Sequence, residues 1–227
     1  IGIVGIAIAE TLNVTWYNTN GTTYDTTMCT VGGTLNLPTA PTKRGYTFQG
    51  WRPKYTPIEY IESTGTQYID TGIYLTDNSK VEIAVNIPSA SGNYALFGAS
   101  NGSEYNAGEI ALWWYSGKYD LVYPTGPNAS VDEQGGVIPT SIKQTITSSK
   151  QGLFVDNVFR INPSFYNGYV GTRSLTLFAA HRNTIVGIAA FSLYSAQIWN
   201  DDVLVRAMIP VLDLNGVACM YDKVSKT

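Results

Sequence analysis

Residues 80–88 read KVEIAVNIP. Val81, Ile83, Val85 and Ile87 alternate with Glu82, Ala84 and Asn86, and Pro88 stops the run. A period of two puts the four aliphatic side chains on one face, so the segment predicts a half-buried β-strand. The same logic recurs along the chain. SLTLFAAH (174–181) and GIAAFSLYSAQIW (187–199) carry the aromatic and aliphatic residues of strands covered on both sides. In GLFVDNVFRI (152–161), Asp156 and Asn157 separate two apolar stretches; both tolerate positive φ, which predicts a hairpin. Ser116-Gly117 in YSGKYD predicts another. Only DDVLVRAMIPVL (201–212) reads two ways. Val203, Leu204, Ala207 and Met208 fit one helical face, with Asp201 as cap and Pro210 as stop. Val203, Val205, Ala207 and Ile209 fit a strand equally well.

Many short strands and few helical candidates predict an all-β sandwich or barrel. The chain is long enough for one large domain with a small one beside it. A boundary is expected at RPKYTP (52–57), where two prolines flank a polar linker after Trp51. Hydrophobic residues at 44% and aromatics at 12% suffice to build a core, which excludes a disordered chain. Charged residues at 14% and a net charge of −3 exclude the basic face that nucleic acid requires. The opening IGIVGIAIAE is too short to span a bilayer, which takes about 20 residues, and lacks the basic start of a signal peptide. It reads as a linker or the end of a preceding segment, and no membrane insertion is expected. The absence of an initial Met and the ending YDKVSKT suggest a piece of a longer polypeptide. Cys29 and Cys219 are expected to be separate, half-buried thiols, and with His181 as sole histidine no zinc site is expected.

Two resemblances sharpen this division. NVTWYNTNG, VGGTLNLP and PTKRGYTFQGW resemble the Listeria–Bacteroides repeat, also called the internalin-type B repeat, over residues 11–54. The resemblance implies a small β-rich spacer or adhesion module of bacterial surface proteins. Gly45 and Gly50 would form its turns, and Tyr46, Phe48 and Trp51 its aromatic core. Residues 57–227 resemble the laminin-G-like, concanavalin A-like jelly rolls. The matching stretches are EYIESTGTQYIDTGI, KVEIAVNI, LFGAS, LFVDNVF and the run FSLYSAQIWNDDVLVRAMIPVLDLNGVACMYD. By that likeness VLVRAMIP is a strand, Asp201-Asp202 a turn, and YIESTGTQYIDTG a pair of edge-forming strands punctuated by Thr64-Gly65 and Thr71-Gly72. GIVGIAIAE is similar to a short repeat that phage tail fibres carry before their receptor-binding tips.

Chemistry is hard to find. Jelly-roll glycosidases need two carboxylates flanking the scissile bond, about 5 Å apart for retention. Glu82 is followed by Ala84 and Asn86, while Asp132-Glu133 and Asp201-Asp202 are adjacent pairs expected in solvated turns. GASNG (98–102) has the spacing of a nucleophile elbow, but no helix is predicted after Gly102, so Ser100 reads as a turn residue. No cofactor is expected, and Asp77 and Asn78 offer oxygen ligands for structural calcium without forming a recognisable loop. The better candidate is a sugar surface in ALWWYSGKYDLVY (111–123). If Trp114 faces the core, Trp113 and Tyr115 face out on one side, and Tyr119 and Tyr123 are expected to join them from the return strand. His181, Arg182 and Asn183 form a second polar candidate in a loop. The sequence therefore predicts a non-catalytic adhesion protein of a bacterial surface or virion, binding a glycan or host receptor. The alternative is a structural phage fibre or capsid-decoration domain that acts as a homo-oligomer.

Overall fold

The computed structural model describes residues 10–89, 91–102, 108–126 and 129–226, with the side chains of residues 129–132 excepted. The opening apolar run and its fibre-like repeat, up to residue 9, lie outside the described residues. Nineteen strands and no helix occur among the described residues. Two compact units emerge, Ile1–Pro53 and Lys54–Thr227, dividing inside the proline-flanked stretch.

In the first unit β1 (Thr11–Tyr17) and β2 (Thr23–Thr30) pair antiparallel. A two-stranded ribbon is marginal alone, so the rest of the module must supply a core. Trp51 does so. Its ring lies 5.0 Å from Trp16, 5.3 Å from Tyr24 and 5.1 Å from Phe48, between centroids. Trp16 is buried and donates its indole N–H to Thr27 Oγ1 at 2.8 Å. An aromatic cluster is therefore real, but Tyr46 is not part of it: the residue is 71% exposed, with Lys43 Nζ 4.3 Å above its ring. Trp16 and Tyr24 take its place. Gly45 and Gly50 do adopt positive φ, at 80° and 101°, where a side chain would be strained.

The second unit opens with β3 (Thr56–Pro57), β4 (Ile61–Glu62), β5 (Ile69–Thr76), β6 (Lys80–Asn86) and β7 (Asn93–Ser100). There follow β8 (Glu109–Tyr115), β9 (Lys118–Gly126), β10 (Ala129–Val137), β11 (Lys143–Ser149), β12 (Gly152–Val155) and β13 (Val158–Ile161). The last are β14 (Val170–Leu177), β15 (Ala180–His181), β16 (Ile185–Val186), β17 (Ser192–Asn200), β18 (Val203–Leu212) and β19 (Ala218–Asp222). One sheet runs β10-β9-β8-β7-β14-β5, with β15 and β16 attached at β7. The other runs β13-β12-β11-β6-β17-β18-β19, with β3 on β18 and β4 on β17. Their inner faces share one core. Val81, Ile83 and Val85 of β6, with Ile146 and Ile198, meet Phe97, Leu112, Trp114, Leu121 and Leu177 of the facing sheet. Each such side chain contributes roughly 1.5–3 kcal/mol by leaving water. The alternation in KVEIAVNIP is thus realised: all four aliphatic residues are buried.

The predicted turns form. Ser116 and Gly117, Asp156 and Asn157, and Asp201 and Asp202 all have positive φ, the geometry whose twist suits a two-residue hairpin. Residues 203–212 form strand β18, with Pro210 inside it opposite Met220 rather than stopping it. Two expectations are corrected. The two strands of this stretch lie in opposite sheets, β4 on β17 and β5 beside β14, where β5 does form the sheet edge. The intervening chain folds on itself, Gln67 Oε1 accepting the Thr64 N–H at 2.9 Å, and Thr71-Gly72 lies within β5. Asp132-Glu133 lies in β10 and not in a turn, whereas Asp201-Asp202 does form one. Both cysteines are free and half-buried. No helix among the described residues is long and apolar enough to cross a membrane.

Candidate functional site

β8 carries two adjacent tryptophans with opposite fates. Ile110, Leu112 and Trp114 point into the core. The other parity, Glu109, Ala111, Trp113 and Tyr115, therefore lies on the outer face of the sheet. On β9 the outer row is Lys118, Asp120 and Val122, because Tyr115 pairs with Lys118, Trp113 with Asp120 and Ala111 with Val122. Tyr115 is 45% exposed. Trp113 is half-buried, because a later segment of chain packs on it.

That segment is positioned by strained backbone. Phe178, after β14, has φ of 67°, unusual for a bulky residue and costing on the order of 1–3 kcal/mol. Its ring is buried against Phe191 at 4.3 Å, its N–H reaches Leu96 O at 2.9 Å, and its carbonyl accepts the Ala189 N–H at 2.7 Å. The turn sends β15 back parallel to β7, Ala180 beside Gly98 and His181 beside Ala99. Farther on, Gly187 accepts the Ala95 N–H at 2.8 Å and has φ of 61°. A Cβ on Gly187 would come within 2.3 Å of the Trp113 ring, so only glycine lets the backbone pass there.

This path brings Arg182 over β8. Its Nη2 and Nε donate to Glu109 Oε2 at 2.9 and 3.2 Å, and its guanidinium carbon lies 5.0 Å from the centre of the Trp113 ring. The Trp113 indole N–H donates to Glu109 Oε1 at 3.3 Å. The carboxylate is fully buried. Burial pushes its titration up to about 7, against the pull of the Arg182 charge and of the hydrogen bonds from Arg182 and Trp113, with Asp120 adding a smaller upward push. Arg173 stands nearby, donating from Nη1 to Ser100 O at 2.8 Å and from Nη2 to Asn183 Oδ1. His181 Nδ1 lies 3.1 Å from Ser174 O, an acceptor only, so that nitrogen carries the proton. Tyr169 donates its hydroxyl to Gly108 O at 2.8 Å, and burial raises its titration.

Two candidates that the sequence kept apart, Trp113 of β8 and Arg182 of the 181–183 segment, thus meet around one carboxylate, with Tyr115 farther along the same strand face. Tyr119 and Tyr123 do not join them. Tyr119 pairs with Trp114 and is fully buried, its hydroxyl bonded to Gln144 Oε1. Tyr123 is 7% exposed, stacks 5.6 Å from Phe165 and reaches Glu133 Oε2 at 3.3 Å. Both belong to the core face.

Other sequence candidates resolve as packing. Ser100 is buried at the end of β7, and no helix follows among the described residues. Glu82 accepts a hydrogen bond from Thr147 Oγ1 at 3.0 Å. Asn78 donates to Asp201 Oδ1 at 2.9 Å and accepts from Lys150. No cluster of three or more His, Cys, Asp or Glu able to hold a metal occurs among the described residues. A cavity of about 620 Å³ opens elsewhere, beside β5, lined by Ile69, Arg206, Met208, Met220 and Asp222 among others. Its lining mixes Ile69, Met208 and Met220 with Glu62, Asp70 and Asp222, and Arg206 in it is committed to Thr71 O at 3.2 Å and Asp222 at 3.6 Å. The outer face of β8 differs in setting an aromatic ring against an ion pair.

Comparison with known proteins adds the following. Residues 13–79 match the Listeria-Bacteroides repeat domain, a span that runs past the first unit to the end of the turn after β5. Among solved structures, the CBM40 module of the Ruminococcus gnavus IT-sialidase, bound to alpha2,3 sialyllactose, is similar at 17% identity and TM-score 0.46, covering 66% of this chain and 91% of that one. NanB in a structure with Optactamide is similar at 14% identity and TM-score 0.48, over 65% of this chain and 26% of that one. The enzymatically active domain of tailspike protein 2 of bacteriophage CBA120 is similar at 14% identity and TM-score 0.42, over 70% of this chain and 30% of that one. No curated protein sequence matches the chain. None of these likenesses assigns a role to a residue here.

Proposed function

We propose that the second unit is a non-catalytic glycan-binding domain and that the outer face of β8, with Arg182 above it, is its ligand surface. One observation carries the reading: Trp113 and exposed Tyr115 share an outward face beside a guanidinium held by a buried carboxylate. Aromatic faces cover the C–H side of a sugar ring, and a planar fork of N–H donors beside them fixes its oxygens. The domain is read as non-catalytic because Glu109, with a titration near that of a general acid, is fully buried and already bound by Arg182 and Trp113. The repeat-type module in front fits a protein working outside a cell, on a bacterial surface or a virion, with a glycan or host-surface receptor as partner.

A glycan array probed with the whole chain, with Trp113→Ala and with Tyr115→Ala tests this. The reading expects saccharide binding that either substitution weakens at least tenfold while the fold persists by circular dichroism. Folded protein that binds no glycan at any density transfers the assignment to a structural fibre or decoration part. Release of reducing sugar that Glu109→Gln abolishes would instead make the domain a hydrolase.

A further inference from the structure

We infer that the ligand of this face carries a carboxylate, that Arg182 recognises it, and that Glu109 is the internal counter-ion the ligand displaces. The inference rests on the glycan reading above and narrows it to acidic sugars.

Among the described residues Arg182 alone pairs with Glu109, while Arg173 spends its donors on Ser100 O and Asn183 Oδ1. Glu109 engages Nε and Nη2 of Arg182 through a single oxygen. Among the described residues Nη1 of Arg182 has no acceptor, and the side chain is 18% exposed. A guanidinium offers five N–H donors, and two parallel ones fit the two oxygens of a carboxylate. Arg182 is thus a half-used fork lying against the aromatic ring that would carry a sugar.

Among the described residues, the charged groups acting on Glu109 are Arg182, from the loop after β15, and Asp120, from β9, while Tyr169, on the approach to β14, feels its charge. His181 of β15 and Arg173 of β14 are bound to Ser174 O and Ser100 O. Glu109 titrates at about 7, within the range of ordinary solutions. When it takes a proton, Arg182 loses its counter-charge in a half-buried setting, where an anion is attracted more strongly than in water. An anionic ligand therefore draws a proton onto Glu109, and by linkage its affinity rises as pH falls through about 7. A neutral sugar gains nothing from that protonation.

The test compares cellobiouronic acid with cellobiose, and sialyllactose with lactose, by calorimetry at pH 5.5 and 8.5. The inference expects one acidic sugar to bind roughly tenfold more tightly at the lower pH, the gain expected if the ligand raises the Glu109 titration by about one unit. At pH 7, calorimetry in two buffers of different ionisation enthalpy should show net proton uptake on binding. Glu109→Gln should bind the acidic sugar at the low-pH level throughout, with no proton uptake, and Arg182→Gln should lose the preference for it over its neutral parent. The buffer comparison needs only the wild-type protein, so a variant that fails to fold leaves the test intact. Equal binding of acidic and neutral sugars, flat with pH, overturns this inference and leaves the glycan reading standing. No binding of any of the four probes overturns it as well, and the array then decides the broader reading alone.

Discussion

Trp113 and Trp114 are neighbours in sequence and opposites in environment. Trp114 is 2% exposed, its indole N–H reaches Ser91 O at 3.3 Å, and its ring meets Tyr94 edge-on at 5.3 Å. Trp113 is half-buried, with a guanidinium over its ring and a carboxylate on its N–H. The strand pleat decides which indole goes in and which goes out. What covers the outer one comes from about seventy residues downstream and is polar. The same residue type serves as core in one place and, on the proposed reading, as a recognition surface in the other, and the distinction lies in the neighbours.

The contrast can be broken most severely from the inside. Trp114→Ala should cost about 3–5 kcal/mol, the usual range for emptying a buried indole site, measured by urea unfolding. A loss under about 1 kcal/mol would mean that Trp114 is not core.

Next in size comes a pH effect on the outer side. Glu109 titrates at about 7 in the folded chain against an ordinary 4.5, so the folded state holds the extra proton between those values. Stability from this group is complete below about 4.5 and declines as pH rises through 7. Relative to Glu109→Gln, the wild type should lose on the order of 3 kcal/mol across that window. Identical pH profiles for the two proteins would remove Glu109 from the account. Asp222 works in the opposite sense: burial pushes its titration up, but hydrogen bonds from Ala207, Ser225 and Val224 outweigh it and hold it below the ordinary value.

Much of this organisation was legible in the sequence, and the gaps have physical causes. The aliphatic alternation of residues 81–87 and the turn dipeptides Ser116-Gly117 and Asp156-Asn157 follow from local rules, and the structure realises them. Tyr119 and Tyr123 were placed on the wrong face although the parity was available. With Ser116-Gly117 as a two-residue corner, Tyr115 must oppose Lys118, and then Tyr119 opposes Trp114 and shares its side. The β18 segment was ambiguous because helix and strand periodicities overlap over so few residues, and pairing with β17 and β19 settles it. Glu109 was missed for a different reason. Its importance comes from Arg182, which only the turn at Phe178 brings near. A lone acidic residue opening the apolar stretch EIALWW was the one available signal, because a buried carboxylate needs a cationic partner from somewhere.

Two smaller effects sharpen the comparison. Gly187→Ala should cost about 1–3 kcal/mol, because the added methyl meets the Trp113 ring at a backbone angle that disfavours side chains. Its thermal midpoint should recover in the double variant with Trp113→Ala if that contact is the cause, less the strain of the backbone itself. Tyr115→Ala, by contrast, should change stability by less than about 0.5 kcal/mol, as exposed positions usually do, while weakening ligand binding. A large stability loss there would make Tyr115 a packing residue.

The most direct test follows the five tryptophan indole N–H signals by NMR while a glycan hit from the array is titrated in. The Trp113 signal should move and saturate with the ligand, with Trp114 unmoved beneath it. Saturable binding that shifts Trp199, Trp16 or Trp51 and leaves Trp113 where it was would place the ligand on another surface and contradict the assignment.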